Sequence, residues 1–285
     1  MSLRWPSLVC KEYEHWENER QCLNARFLNS SLDLEGDSRF IEDRPPCFFA
    51  GRLGESKIML LSLNPGFKGK RNLVEYRIFK ERGWEETYLT FFDWFEKEGL
   101  SSPYYSRFAV FLSGYLGLDS FPVERRNRFR LLGENLVNID LIPYHSVSFT
   151  IKVSRMTGML EGYVENLKEL VGLAKLEAIF MNGAVFKDLL PSLGVVIDRY
   201  ESLTVNKKQG RKLKVGLGHM HAGNNSIPAV WITNFLTGRT LAATNEGLFW
   251  AGKEIAGKML EYRSERDTGD SPYVSEKRND LKRTQ

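Results

Sequence analysis

The spacing of short apolar runs constrains this chain more than any other feature. KIMLLSL (57–63), LVNIDLIP (136–143) and LEAIFMNG (176–183) each have the length of a buried strand, and each stops at proline, glycine or an amide. Longer helical patterns separate them. Most of 72–132 reads as helix, with aromatic-rich faces at 87–99 and 106–117 and a strongly basic segment at 124–135; 158–174 is a further helix. Strands alternating with helices predict an α/β fold with a central, mostly parallel sheet flanked by helices.

Around that frame, a helix is expected from Leu8 to about Leu28, followed by a loop through SSLDLEGDS, and CFFAGRLGES (47–56) is a short strand or an entry turn. AVFKDLLPSL is a short helix cut at Pro191. Segments 194–205 and 213–221 are strands around a basic connection at 206–212, while PAVWITNFLTG fits helix or strand. Residues 245–265 are a terminal helix with Asn245 as its N-cap. The expected organisation is a single domain over 1–265, with a core at 47–260 and a helical insertion at 72–132. The last stretch, 266–285, alternates charges without apolar periodicity and is expected to be a disordered tail.

Composition removes several function classes. No apolar run approaches the ~20 residues that span a bilayer, and the N-terminus turns charged before a signal-peptide core forms, so a cytoplasmic monomer without membrane contact is expected. Cys10, Cys22 and Cys47 have neither disulfide nor zinc spacing. Strand one lacks Gly-x-Gly-x-x-Gly, which disfavours a dinucleotide enzyme. The net charge is only +4, but it is gathered in three clusters: Lys68, Lys70 and Arg71; Arg125, Arg126, Arg128 and Arg130; Lys207, Lys208, Arg211, Lys212 and Lys214. Such clusters suit a phosphate-lined partner or are solvated basic faces.

In parallel sheets, ligands sit beyond the carboxyl ends of the strands. The endings here are Asn64-Pro65-Gly66, Asp140 through Pro143-Tyr144-His145, Asn182-Gly183, and His219-Met220-His221, and all four are expected to face one crevice. Asn64 either makes an Asx turn before Pro65 or touches a ligand.

SLNPG (62–66), a polar residue on the second strand within VNIDLIPYHS, and a late histidine-bearing loop, GHMHAGNNS, together resemble the uracil-DNA glycosylase superfamily. The similarity is greatest to its mismatch-specific and single-strand-selective branches. It departs from the pattern at Ser62, where the family has glycine, and in the loop from His221 to Ser226, where the family has His-Pro-Ser. The resemblance implies a uracil-DNA-glycosylase-like fold and hydrolysis of the N-glycosidic bond of a flipped-out pyrimidine, leaving an abasic site.

It also implies roles. Asn64 would position the water, and Pro65 and Gly66 would let backbone approach the sugar-phosphate. Phe67 would stack on the base or be an ordinary core ring. His221 and His219 would donate to the base as charge develops, or be structural. Tyr144, Asn224, Asn225 and Ser226 would contact substrate, and Lys68, Lys70, Arg71, Arg125 and Arg126 would contact phosphates of single- or double-stranded DNA. Asp140 aligns with the base-reading asparagine. An ionised aspartate only accepts hydrogen bonds, which shifts preference from uracil towards cytosine or a modified cytosine. Asp140 equally suits a turn cap or a pairing with arginine, and Asn138 is the alternative reader, which restores uracil. No lysine is placed for a Schiff base, and neither metal nor cofactor is implied. Two rival readings stay open: a DNA-binding module of the same fold without catalysis, and a hydrolase of free nucleosides or nucleotides.

Overall fold

A computed structural model describes residues 4–66, 69–148, 156–206, 208–223, 225–234, 236 and 243–268. Within them seven strands form one sheet: β1 (Phe49–Ala50), β2 (Ile58–Ser62), β3 (Leu136–Asp140), β4 (Ala178–Asn182), β5 (Val195–Asn206), β6 (Arg211–Ala222) and β7 (Asn225–Ile232). Their order across the sheet is β1-β3-β2-β4-β7-β6-β5. The middle strands β3, β2, β4 and β7 run parallel, while β1, β6 and β5 are antiparallel to their neighbours. β3 and β4 are buried at every position, as expected of parallel strands covered on both faces.

Among the described residues the sheet is accompanied by helices α1 (Ser7–Glu19), α2 (Leu23–Ser31), α3 (Gly69–Leu89, interrupted at Gly83), α4 (Phe91–Lys97), α5 (Pro103–Tyr115), α6 (Arg125–Asn135), α7 (Glu161–Leu173) and α8 (Asn245–Thr268). The chain leaves β2 for β3 on one side through α3–α6, then returns past β2 to β4 through α7. Right-handed crossovers in opposite directions put α3–α6 and α7 on opposite faces. On the first face, Phe108, Phe111 and Tyr115 of α5 surround Phe180 of β4. Strand register places Leu60, Ser62, Asn138, Asp140 and Asn182 on that same face. Because β2 pairs with β3 on one side and β4 on the other, its carboxyl end is the switch point where such sheets open a crevice.

Three local expectations change. The first helix is broken, because Arg20 adopts a left-handed conformation (φ 58°) and Cys22 N–H leaves the helix for the Glu42 carbonyl. The cap of α8 is Thr244, whose hydroxyl accepts from Gly247 N–H at 2.9 Å; Asn245 instead accepts from Arg107. PAVWITNFLTG starts as strand, since Ala229–Ile232 pair with β4. Among the described residues no helix is long and apolar enough to cross a membrane.

Candidate active site

Asn64 lies just past the end of β2, half-buried, and its amide orientation is fixed by what surrounds it. Nδ2 donates to Ser146 Oγ at 2.8 Å and sits 3.3 Å from both the Tyr144 and the Pro65 carbonyl oxygens. Reversing the amide would set an oxygen against two carbonyls. Among the described residues no group donates to Oδ1, which leaves that acceptor for another molecule. The loop that supplies Ser146 is itself held: Ser146 N–H donates to Pro65 O, and Ser146 bridges both Gly66 and Phe40. Gly66 is exposed. A Cβ built there would meet nothing within 4 Å, and its φ lies outside the left-handed region, so the fold gives no reason for a glycine.

Beneath Asn64 runs a directional hydrogen-bond chain. Ser62 Oγ donates to Asn138 Oδ1 at 2.7 Å and so accepts from the Tyr104 hydroxyl at 2.8 Å. Asn138 Nδ2 then donates to Asp140 Oδ2 at 3.1 Å. Period-two alternation brings Asn138 and Asp140 together on this face, so the two candidate readers are partners. Burial pushes the Asp140 carboxyl up to about 8; Arg71 opposes the rise, Glu75 adds to it, and the Asn138 hydrogen bond opposes it. Burial thus favours the carboxylic-acid form of Asp140, contrary to the ionised form expected from the sequence.

A second buried cluster supports the first. Glu75 accepts from Tyr88 at 3.1 Å, lies 3.6 Å from His145 Nε2, and receives Asn72 Nδ2 at 3.4 Å. Burial works against the charge on Glu75, yet His145, Arg71 and Tyr88 outweigh it and hold the carboxyl below the usual range. Arg71, expected on a DNA phosphate, turns inward: it faces the ring of Phe91 and is stabilised in its charged form chiefly by Glu75 against the cost of burial.

Strand polarity separates the expected residues. β6 runs antiparallel to β7, and His221 pairs with Ser226 while Val215 pairs with Ile232. His219, His221, Asn225 and Ser226 therefore lie at the opposite end of the sheet from Asn64, and the expectation that all four strand endings share one crevice fails there. His219 Nδ1 contacts Asp198 Oδ2 at 3.2 Å and the Tyr262 hydroxyl at 3.0 Å, and its Nε2 lies 3.0 Å from His221 Nε2. The fourth ending at the crevice is instead that of β7, Thr233-Asn234, where Thr233 Oγ1 donates to Lys214 O at 2.8 Å. Asn182, at the end of β4, accepts Leu236 N–H through Oδ1, and its Nδ2 points towards Tyr104 outside hydrogen-bonding geometry.

The remaining expected residues divide as follows. Pro65 is buried at the site, with its carbonyl beside Asn64. Tyr144 contributes only its carbonyl; its ring is in the core and its hydroxyl donates to Glu12 at 2.9 Å. Arg125 and Arg126 are exposed on α6, Arg125 donating to Gly99 O and Arg126 lying 3.6 Å from Glu96. Phe67, Lys68, Lys207, Asn224 and the tail from 269 lie outside the described residues, as does the side chain of Lys70. Tyr104, Ser146 and Glu75 were missed from sequence. Tyr104 and Ser146 stand outside any strand-end pattern, and only the polar run after Pro143 hinted at Ser146. An open cleft lined by Arg39, Phe40, Glu42 and Val147 adjoins the Ser146 side. Among the described residues no three His, Cys, Asp or Glu side chains are grouped to hold a metal. No protein-family model matches the chain, and no curated protein matches it.

Proposed function

We propose that this chain is a monofunctional DNA glycosylase of the uracil-DNA-glycosylase fold, acting on a flipped-out pyrimidine of the uracil or cytosine type. The observation that carries the reading is Asn64, pinned through Nδ2 at the switch point with Oδ1 left to orient a water. The N–C1′ bond breaks with its electron pair leaving on the base. The water oxygen then bonds to C1′, and its proton ends on the departed base. Such a dissociative step needs a positioned water more than a strong base. Gly66 is compatible with the same reading, because a Cβ there would project into open space next to Asn64.

The neutral Asp140 suits this chemistry better than an ionised one. An aspartate anion would repel a departing anionic base, whereas a carboxylic O–H stabilises it. Its O–H donates to O4 of uracil or N3 of cytosine, and its carbonyl accepts N3–H or N4–H, so both bases fit.

A second reading rests on the two histidines. His219 and His221, the donors that the resemblance calls for, lie at the far end of the sheet from Asn64, which favours a DNA-binding module that does not cleave.

One experiment separates the two. End-labelled single- and double-stranded oligonucleotides carrying uracil, cytosine, hydroxymethylcytosine or glucosylated hydroxymethylcytosine are incubated with the protein, and alkali reveals abasic sites. The glycosylase yields cleavage that falls about 100-fold or more in Asn64→Ala, and also falls in Gly66→Ala at an unchanged thermal midpoint. Binding without cleavage of any substrate overturns it in favour of the module.

A further inference from the structure

The ribbon β5–β6–β7 extends the sheet beyond its parallel core, and its two faces differ. One is covered by α8: Arg199 and Glu201 of β5 meet Glu265 and Lys258, and His219 of β6 meets Tyr262. On the other face α7 packs against β6, where Met220 is fully buried. The half nearer the crevice is left open. Register aligns Tyr200 with Gly216, Ser202 with Lys214 and Thr204 with Lys212, so these residues share the open face. Tyr200, Ser202, Thr204, Lys212 and Lys214 are exposed there.

Its chemistry is one-sided. Both charges the register places on it are positive, and the nearest acid on β5, Glu201, points to the other face, where it pairs with Lys258 at 3.1 Å. Tyr200 is 53% exposed and its orientation is set. Gly216 opposite has no side chain, the ring lies against that gap, and a Cβ on Gly216 would come within 3.3 Å of it. Lys214 Nζ sits 4.7 Å from the ring centroid, and Trp231 meets the ring edge-on at 6.2 Å. Trp231 in turn donates its indole N–H to Gly183 O at 2.9 Å, directly after Asn182. The exposed ring and its lysine therefore sit beside the carboxyl end of β4, with the buried Trp231 packed between the Tyr200 ring and Gly183.

A held, exposed aromatic ring flanked by lysines is how proteins hold an unpaired strand: bases stack on the ring and phosphates meet the cations. Duplex DNA hides its base faces and cannot use such a ring. Building on the glycosylase reading, we infer that the open half-face of Tyr200, Lys212 and Lys214 is a landing strip for single-stranded DNA that leads into the crevice. Charge complementarity to phosphate, and the position of the ring beside the carboxyl end of β4, select this occupant.

The test is fluorescence anisotropy with the full chain, using a labelled oligothymidylate and a mixed-sequence duplex of equal length across a salt series. Tyr200→Leu keeps Gly216 covered but removes the π-face, and is expected to weaken single-strand binding about 5- to 100-fold while leaving duplex binding nearly unchanged. Tyr200→Phe should bind like the unmodified protein. The exposed pair Lys212→Gln and Lys214→Gln, which cannot disturb the core, should lower the single-strand salt slope by about 1.4. Unaltered binding in both Tyr200→Leu and the lysine pair overturns the inference, as does equal loss on duplex and single strand. The glycosylase reading fails separately. Ribbon-dependent binding without abasic product sinks catalysis alone, and abasic product with unaltered binding in the ribbon variants sinks the landing strip alone.

Discussion

Asp140 shows how one residue's environment can invert the role its letter suggests. Read as an anion it only accepts; buried on β3 with Asn138 on one oxygen, it is an acid up to about pH 8. The unfolded chain ionises the same group near the ordinary aspartate value of ~3.9. Between those two values the native state holds one proton more than the unfolded state, so stability is greatest at the acid end of the window and falls as pH rises towards about 8. Asp140→Asn keeps an acceptor for Asn138 and removes the titration. Relative to this variant, the unmodified protein should lose up to about 1.4 kcal/mol per pH unit between pH 5 and 8. Urea denaturation at each pH measures the difference. Parallel curves for the two proteins would mean that Asp140 is ionised in the fold, and the donor role assigned to it would go with that result.

At the scale of elements, direction decides what a strand can deliver. Sequence spacing located three of the four strands that end in the crevice and placed Asn64, Asp140 and Asn182 at their carboxyl ends. What it could not read was the polarity of the later strands. A basic hairpin connection reverses β6, so GHMHAG ends at the far edge and the parallel strand β7 arrives one element later. Hairpin signals are local, whereas the pairing of β7 with β4 is decided by apolar contacts remote in sequence. The buried supports, Tyr104 from α5 and Glu75 from α3, were hidden for the same reason: each is an unremarkable helix residue until the helix is docked. This placement has a direct consequence. His221→Ala should leave abasic-site formation unchanged. His219→Ala removes a partner shared by Asp198 of β5 and Tyr262 of α8, which also hydrogen-bond each other directly, and should cost about 1 kcal/mol of stability. Activity assays and denaturation curves on the two variants check both statements, and a loss of product in His221→Ala at full stability would return that histidine to the reaction.

Across the whole molecule, the last helix ties the ribbon to the parallel core. α8 lies against β5 through Arg199 and against α5 through a contact so close that glycines are needed on both sides. A Cβ on Gly114 of α5 would come 1.9 Å from Phe249 O, and one on Gly252 of α8 would come 2.0 Å from Phe111 O. Both obstacles are backbone, so no rotamer change relieves them, and the helices must separate. α5 also carries Tyr104 and the rings around Phe180, so the same separation loosens the floor beneath Asn64. Gly252→Ala is therefore expected to cost about 2–3 kcal/mol, in the manner of an overpacked core. It should also reduce activity, although it lies on a helix that touches no proposed site residue. Gly257, on the same helix with nothing within 4 Å of a built Cβ, provides the control, and Gly257→Ala should match or slightly exceed the unmodified stability because alanine is the better helix former. Denaturation midpoints that rise alike in both variants would mean that helix propensity governs, not the α5–α8 contact. A drop confined to Gly252→Ala, with activity falling alongside, would make this contact the joint through which the ribbon and the crevice hold one another in place.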